Sequence, residues 1–335
     1  MALERLRFKI PPEHAGRRLD DVIVALASKP QRALSKSQAR KLIVAGAVYL
    51  NGRRVRIASK PVIVGAELTL HVDFSRLETG AVRSERFRSD WVLGENSILF
   101  EDDWLIAVDK PAGLPTQPTV DEARLNLFAA LQKWVRHRAH DPQAYVGLHH
   151  RLDRDTSGVV LFTKSKEANP GVAALFSEHR VQKEYRALCL EAVGAEQRFK
   201  VGDRFFVRNF LKRLPGKLSR YGSVRSGGDL AHTDFEIRSQ LGSRAWELSC
   251  WPKTGRTHQI RVHLSEMGYP ILGDLTYGRE KGLGPSPIQH GPRLMLHAAS
   301  LTFVHPVTGQ PIQIQSPLPS DFKAVLKRLS SGGGA

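Results

Sequence analysis

Acidic residues are scarce in this sequence: 33 Asp and Glu stand against 50 Lys and Arg, a formal net charge of +17. A compact state with that excess repels itself, so a polyanion is the expected partner. Cysteine is nearly absent. Cys189, in "ALCLEA", and Cys250, in "ELSCWP", belong to no CxxC pair. They read as two buried free thiols rather than as a metal site or a disulfide framework. No apolar run approaches the roughly 20 residues of a membrane span. The start, "MALERLRFKIPPEH", carries charges too early for a secretory signal. A cytoplasmic protein without a membrane partner is expected. HExxH, EF-hand and zinc-finger spacings are missing, as is a GxSxG elbow. No fixed-period repeat is present.

The shortage of acid is local. Between Asp21 and Glu67 there is none, while nine Lys and Arg fall in the interval. The interval also reads as folded. "RRLDDVIVALAS" places Leu19, Val22, Val24, Leu26 and Ala27 on an apolar helical stripe. In the next helix, "SKSQARKLIVAG", Ser35 is an N-cap and Gly46 takes the position after the last turn. "AVYLNGRRVRI" is a hairpin around Asn51-Gly52, because a type I′ turn needs positive φ at both central residues. "AELTLHV" adds a strand. Lys36 and Arg40 lie at i, i+4, with Ser37 and Lys41 beside them, so one helical face carries cations and a hydroxyl. Arg53 and Arg54 leave the hairpin close by. Such a face can track phosphates without reading bases. "RLDDVI" and "LSKSQARKLIVAGAVYLNG" resemble the S-four-like (alpha-L) RNA-binding module over about residues 17–75. The resemblance implies a grip on folded RNA.

A second acid-free stretch, Arg204 to Gly228, is broken by Pro215 and several glycines and reads as an exposed loop or hairpin. Residues 74–95 lack periodicity and read as a linker. From Ser97 on, strands follow strands more often than they alternate with helices. "SILFEDDWLIAVDKPAG", "YVGLHH", "SGVVLFTKS", "QKEYRALCLEAV", "HTDFEIRSQLG", "RAWELSCWP" and "LMLHAASLTFVHPVTGQPIQIQSP" are strand segments. "RLNLFAALQKWVRHRA", "EANPGVAALFSEHR" and "GRTHQIRVHLSEMG" are helical. The expected fold class is α+β: a small helix-plus-hairpin RNA-binding domain over 1–75, a linker over 76–95, and a larger catalytic domain over 96–328. The latter is built on a mostly antiparallel mixed sheet flanked by helices, with a flexible tail at 329–335.

"HHRLDRDTSG", His149 to Gly158, packs two His, two Arg and two Asp ahead of turn-forming residues. Adjacent His on a strand point to opposite faces, and Arg151 and Arg154 oppose a cation at the two Asp, so a metal site is disfavoured. Ser157 has no base fixed by sequence. Asp153 remains, either as a structural ion pair or as a carboxylate kept ionised among arginines. In the second case it can attack an electron-poor carbon or stabilise an oxocarbenium-like sugar. "QKEYRALC" puts Lys183 and Tyr185 on one strand face. In "GRTHQIRVHL", Arg261 lies at the margin of the Ile260, Leu264 and Met267 stripe, where partial burial demands an anionic partner. A ring, cations and a carboxylate together suit a flipped nucleobase and its phosphates.

"HRLDRDTSG" resembles the signature of RluA-type RNA pseudouridine synthases. The resemblance extends over 97–317 through "VDKPAGL", "KEYRAL", "GRTHQIRVHL", "GYPILGDLTYG" and "LHAASLTFVHPVTG". Here "KPAGL" continues as "PTQPT", where many members have a Val-His-Pro-like run. The resemblance implies that Asp153 is the catalytic carboxylate and that Arg261 pairs with it. It implies that Tyr185 stacks on uracil and helps remove the C5 proton, and that Arg151 holds the place of the flipped base. Thr156 and His258 are expected to bind substrate. No metal, nucleotide or other cofactor enters. The expected substrate is large-subunit ribosomal RNA, with transfer RNA, or a non-catalytic ribosomal RNA-binding factor, as alternatives. A glycosidic-bond hydrolase using Asp153 is a further reading, for which Asp155 is the candidate second carboxylate. A monomer is expected.

Overall fold

In "ERLRFK" apolar side chains alternate with charged ones, which suits a strand with one wet face. This is β1 (Glu4–Lys9), and it pairs antiparallel with β4 (Glu67–Val72). The computed structural model describes residues 4–27, 34–55, 57–72, 91–118, 125–192, 199–215, 220–278 and 291–331. They fall into two units, Met1–Arg83 and Ser84–Ala335. In the first, α1 (Leu19–Leu26) and α2 (Lys36–Ala45) lie with a sheet of order β1-β4-β2-β3, where β2 is Val48–Leu50 and β3 is Arg53–Arg54. A capping box opens α2: Gln38 N–H donates to the Ser35 hydroxyl, and Ser35 N–H donates to the Gln38 side chain. Gly46 closes it at φ 76°. Asn51 and Gly52 sit at φ 48° and 74°, the type I′ signature. Ile23 is fully buried with Leu19 and Val22, while Val24 and Leu26 are only half-buried, so the inward stripe of α1 gains Ile23 and loses those two. Strand β1 is an element beyond those read from the sequence.

The second unit holds an 11-stranded sheet. In chain order come β5 (Ile98–Glu101), β6 (Leu105–Lys110), α3 (Leu127–Arg138), β7 (Gly147–Leu148), β8 (Ser157–Thr163), α4 (Ala168–Ser177) and β9 (Gln182–Leu190). Then follow β10 (Arg204–Arg213), β11 (Tyr221–Val224), β12 (Asp229–Leu241), β13 (Ala245–Pro252), α5 (Gln259–Glu266), β14 (Leu296–Val304), β15 (Pro311–Gln315) and α6 (Ser320–Ser331). The spatial order is β11-β10-β12-β13-β9-β14-β8-β6-β5, with β15 on β14 and β7 on β8. Among the described residues only β14 and β8 pair in parallel. Gly158 lies at that junction at φ 118°, and a Cβ there would stand 2.1 Å from the Ala298 carbonyl oxygen. Only glycine fits.

Two large apolar cores result, with a small third cluster of Leu211, Ala231, Val262 and Tyr277. One gathers β6, β8, α3 and α4 around Val160, Phe162, Leu131 and Val172; the other gathers β9, β12, β13, α5 and α6 around Leu188, Phe235, Leu248, Leu264 and Phe322. Tyr185 packs against both, which marks their seam. The Arg204–Gly228 stretch is a sheet hairpin, β10 with β11, not a free loop. "YVGLHH" is strand only at Gly147 and Leu148, because His149 and His150 turn inward. His150 accepts the Leu161 N–H at 2.8 Å and stacks on Phe176. Helix α6 runs through Ser331, three residues into the expected tail. Residues 76–90 of the expected linker and 332–335 of the tail lie outside the described residues.

Candidate active site

The loop between β7 and β8 is held by buried clamps. Lys110, fully buried, donates to the carbonyls of Pro111, Leu114 and Arg154 at 3.0, 2.8 and 3.0 Å, and burial lowers its pKa to about 7. Gly113 N–H also reaches the Arg154 carbonyl. Thr116, in the divergent "PTQPT", donates to the Leu152 carbonyl at 2.8 Å and accepts its N–H at 3.1 Å. These bonds tie "KPAGLPT" to "RLDR" and fix the backbone on both sides of Asp153.

Asp153 projects into a cleft of about 590 Å³. Arg261, on the first turns of α5, donates to its Oδ2 at 3.1 Å. The same guanidinium grips Asp274 through Nε at 2.7 Å and through its second terminal nitrogen at 2.9 Å. Asp274 is buried and also accepts the N–H groups of Thr276 and Tyr277. Burial by itself would lower the Arg261 pKa, but the hydrogen bonds and charge of Asp274, with Asp153 behind them, outweigh it and raise it. The cation is therefore permanent and aimed by one carboxylate at the other. Tyr277 packs its ring 5.1 Å from the same guanidinium and bonds His258 Nδ1 through its hydroxyl at 2.8 Å. His258 sits at φ 59° before α5, with Nε2 3.8 Å from Asp153. Burial lowers its pKa, against the pull of Asp153.

Tyr185 lines the cleft from β9. Burial first, then the Asp153 charge, push its pKa up. The phenol stays protonated, which fits a stacking ring and disfavours a phenolate base. Thr156, one of the residues lining the cleft, donates its N–H to the Asp153 carbonyl, and its buried hydroxyl has no hydrogen-bond partner among the described residues. Such an orphan is costly unless a ligand satisfies it. Arg151 is exposed at the cleft wall, with Arg256 and Lys183 among the other lining cations. The structure thus gathers Asp153, Tyr185, Arg261, Arg151, Thr156 and His258 at one cavity. Asp155 turns away to pair with Arg154 at 2.8 Å. Asp274 and Tyr277 were not singled out by sequence reasoning, although their segment, "GYPILGDLTYG", was. The signal was a second acid downstream of a helix that carries a half-buried arginine.

The cations of the amino-terminal unit are placed differently. No acid interleaves with them in sequence, yet α1 supplies two: Arg40 donates to buried Asp20 at 2.7 Å, shared with Arg18, and Lys36 meets Asp21. Burial would raise the Asp20 pKa, but these arginines hold it below the ordinary range. Arg40 is thus committed to the fold before any phosphate. Ser37 is exposed; the side chain of Lys41 lies outside the described residues. Arg53 and Arg54 are exposed, and Arg54 lies over the Tyr49 ring and donates to its hydroxyl. Among the described residues no cluster of three or more His, Cys, Asp or Glu is placed to hold a metal ion, and no helix is long and apolar enough to cross a membrane.

Comparison with known proteins bears on the same residues. A family model described as RNA pseudouridylate synthase matches residues 104–266, and an S4 domain model matches residues 17–68. The ribosomal large subunit pseudouridine synthase D of Xanthomonas campestris is 32% identical over 327 residues, covering 96% of this chain and 91% of its own. That of Pseudomonas aeruginosa is 29% identical over 338 residues, covering 96% and 94%. Among solved structures, human RNA pseudouridylate synthase domain containing 1 superposes with a TM-score of 0.51 at 27% identity, over 67% of this chain and 83% of that one.

Proposed function

The chain belongs to the RNA pseudouridylate synthase family and carries an S4 domain, and from that premise we propose that it isomerises uridine in large-subunit ribosomal RNA, with Asp153 as the acting carboxylate. The observation that carries this reading is the bridge from Asp153 through Arg261, both lining a cleft of about 590 Å³, to the buried Asp274 behind them. The target uridine leaves its stack, at a cost of a few kcal/mol that is smallest in a loop. Phosphate contacts offset that cost, and Arg151 at the rim occupies the vacated place. The uracil lies on the Tyr185 ring, while the Thr156 hydroxyl and His258 face its polar edge or the ribose. The N1–C1′ bond breaks, the base turns, and a C5–C1′ bond forms; the C5 proton leaves and N1 gains one. Charge developing at C1′ faces the Asp153 carboxylate. The proton lost from C5 and the proton gained at N1 cancel, so the isomerisation consumes no oxidant, reductant or second substrate.

Relatives that are named for the large ribosomal subunit support the substrate class. A ribosomal RNA substrate supports a cytoplasmic site of action. The test is Asp153→Asn on ribosomal RNA transcripts, read by carbodiimide-blocked primer extension. The variant is expected to bind RNA as the parent does and to form no pseudouridine. Release of free uracil by the parent would mean hydrolysis, and an unmodified transcript panel would mean binding alone.

A further inference from the structure

Strand β10 carries the sequence RFFVRNFLKR, and its two faces differ. Phe205, Val207, Asn209 and Leu211 point inward. Phe205 stacks on Phe199 and Phe235, Asn209 accepts from or donates to His263, and Leu211 is buried beside Val262 and Tyr277. The other face reads Arg204, Phe206, Arg208, Phe210, Lys212, all exposed. Phe206 is 66% and Phe210 44% exposed, and they are the two aromatic rings among the exposed large apolar side chains described. Folding does not require these two rings outside. Two aromatic rings in alternation with three cations on one strand is the pattern of a stacking platform, where rings take bases and cations take the phosphates between them. The rings lie about 13 Å apart along the strand, with Arg208 between them.

The charges on this face leave it net basic. Glu236 is taken by Arg204, and Asp234 by His232 and Lys253. Arg208 and Lys212 meet no acid among the described residues. The platform also adjoins the cleft. Its neighbour β12 places Leu230 opposite Phe210 and His232 opposite Arg208. The Leu230 carbonyl accepts from Arg256, and the His232 N–H donates to the Thr254 hydroxyl; both partners line the cleft. The His232 ring itself stands 5.5 Å from that of Phe206.

We propose that the outer face of β10 is a second RNA site, on which Phe206 and Phe210 stack unpaired bases flanking the target nucleotide while Arg208 and Lys212 hold the intervening phosphates. The proposal rests on the RNA-modifying reading above but is tested without catalysis. The probes are a fluorescein-labelled single-stranded dodecamer of oligouridylate, one version carrying a single 2-aminopurine, and a perfect RNA duplex of the same length. The full chain is compared with Phe206→Ala/Phe210→Ala and with Phe206→Tyr/Phe210→Tyr. All three are checked by circular dichroism, since exposed side chains are replaced. The alanine pair is expected to bind the single strand about thirtyfold more weakly, some five- to sixfold per stacked ring, and to lose the 2-aminopurine quench. The tyrosine pair should retain both, duplex affinity should be unchanged, and Arg208→Ala should lower the salt slope by about one. Single-strand affinity within twofold of the parent in the alanine pair, or equal weakening of the tyrosine pair, overturns the proposal and leaves the face to a protein partner. Failure of the parent to form pseudouridine would strike the functional reading alone.

Discussion

Asp274 is the group on which the geometry of Asp153 depends, and replacing it by Asn isolates its charge. An amide oxygen in the place of Oδ1 still accepts from the N–H groups of Thr276 and Tyr277 and from the terminal nitrogen of Arg261, while the bond from Arg261 Nε is lost, so the loop has no steric reason to move. What disappears is the buried negative charge that receives two of the three ion-pair bonds of Arg261. Breaking a buried pair outright costs about 3–5 kcal/mol. Here Asp153 still faces the guanidinium, and the expected loss is smaller, about 2–3 kcal/mol. At roughly 2–4 °C per kcal/mol for a unit of this size, melting should fall by about 4–12 °C. Freed from its orienting partner, Arg261 swings toward Asp153 and displaces the carboxylate. A shift near 1 Å lowers turnover by about a hundredfold, with RNA affinity retained. Thermal denaturation and single-turnover pseudouridine formation at saturating RNA measure the two effects. An Asp274→Asn protein that melts within about 1 °C of the parent and turns over normally would refute the idea that this acid aims Arg261.

Three other outcomes follow from the same structure. Burial lowers the Lys183 pKa to about 8, so its cation at the cleft wall is lost as pH rises through that value; RNA affinity should fall between pH 7 and 9, and Lys183→Arg should flatten the profile. The sign for stability is opposite: an unfolded lysine titrates near 10.4, so the burial penalty is full below about pH 8 and fades toward pH 10.4. Gly158→Ala should destabilise the larger unit by about 3 kcal/mol or more, because the added Cβ meets the Ala298 carbonyl and the φ is strained; an unchanged urea midpoint would contradict the β8–β14 register. Arg53→Ala with Arg54→Ala should lower the salt slope of RNA binding by up to about 2 without changing melting, whereas Arg40→Ala should lower melting by leaving buried Asp20 with Arg18 alone; equal melting for both variants would remove the distinction drawn between them.

Local chemistry is legible along much of the chain. The capping box at Ser35, the left-handed Gly46 and the Asn51-Gly52 turn are each dictated by a few adjacent residues, and each forms as read. Period-2 and period-3.6 patterns place most strands and helices. Strand β1 escaped because its charged alternation is equally that of a polar segment, and only pairing with β4 decides between them. For Arg204–Gly228 the turn-forming residues leave an exposed loop and a hairpin open, and only the pairing of β10 with β11 and β12 decides for the hairpin. The helix α2 cations looked free because sequence distance hid the acids of α1.

By itself the sequence determined which side chains were available for chemistry: a carboxylate in a turn, an arginine on the edge of an apolar helical stripe, a tyrosine on a strand. Turn and helix propensities act over a few residues, so they are written locally. Tertiary structure decided which of these meet. Asp153 and Arg261 are 108 residues apart and join only because β8 and α5 converge at the seam of two cores. It also decided that Asp274 aims the pair and that Asp155 does not, since long-range approach is set by packing and by the satisfaction of buried charge, not by spacing along the chain.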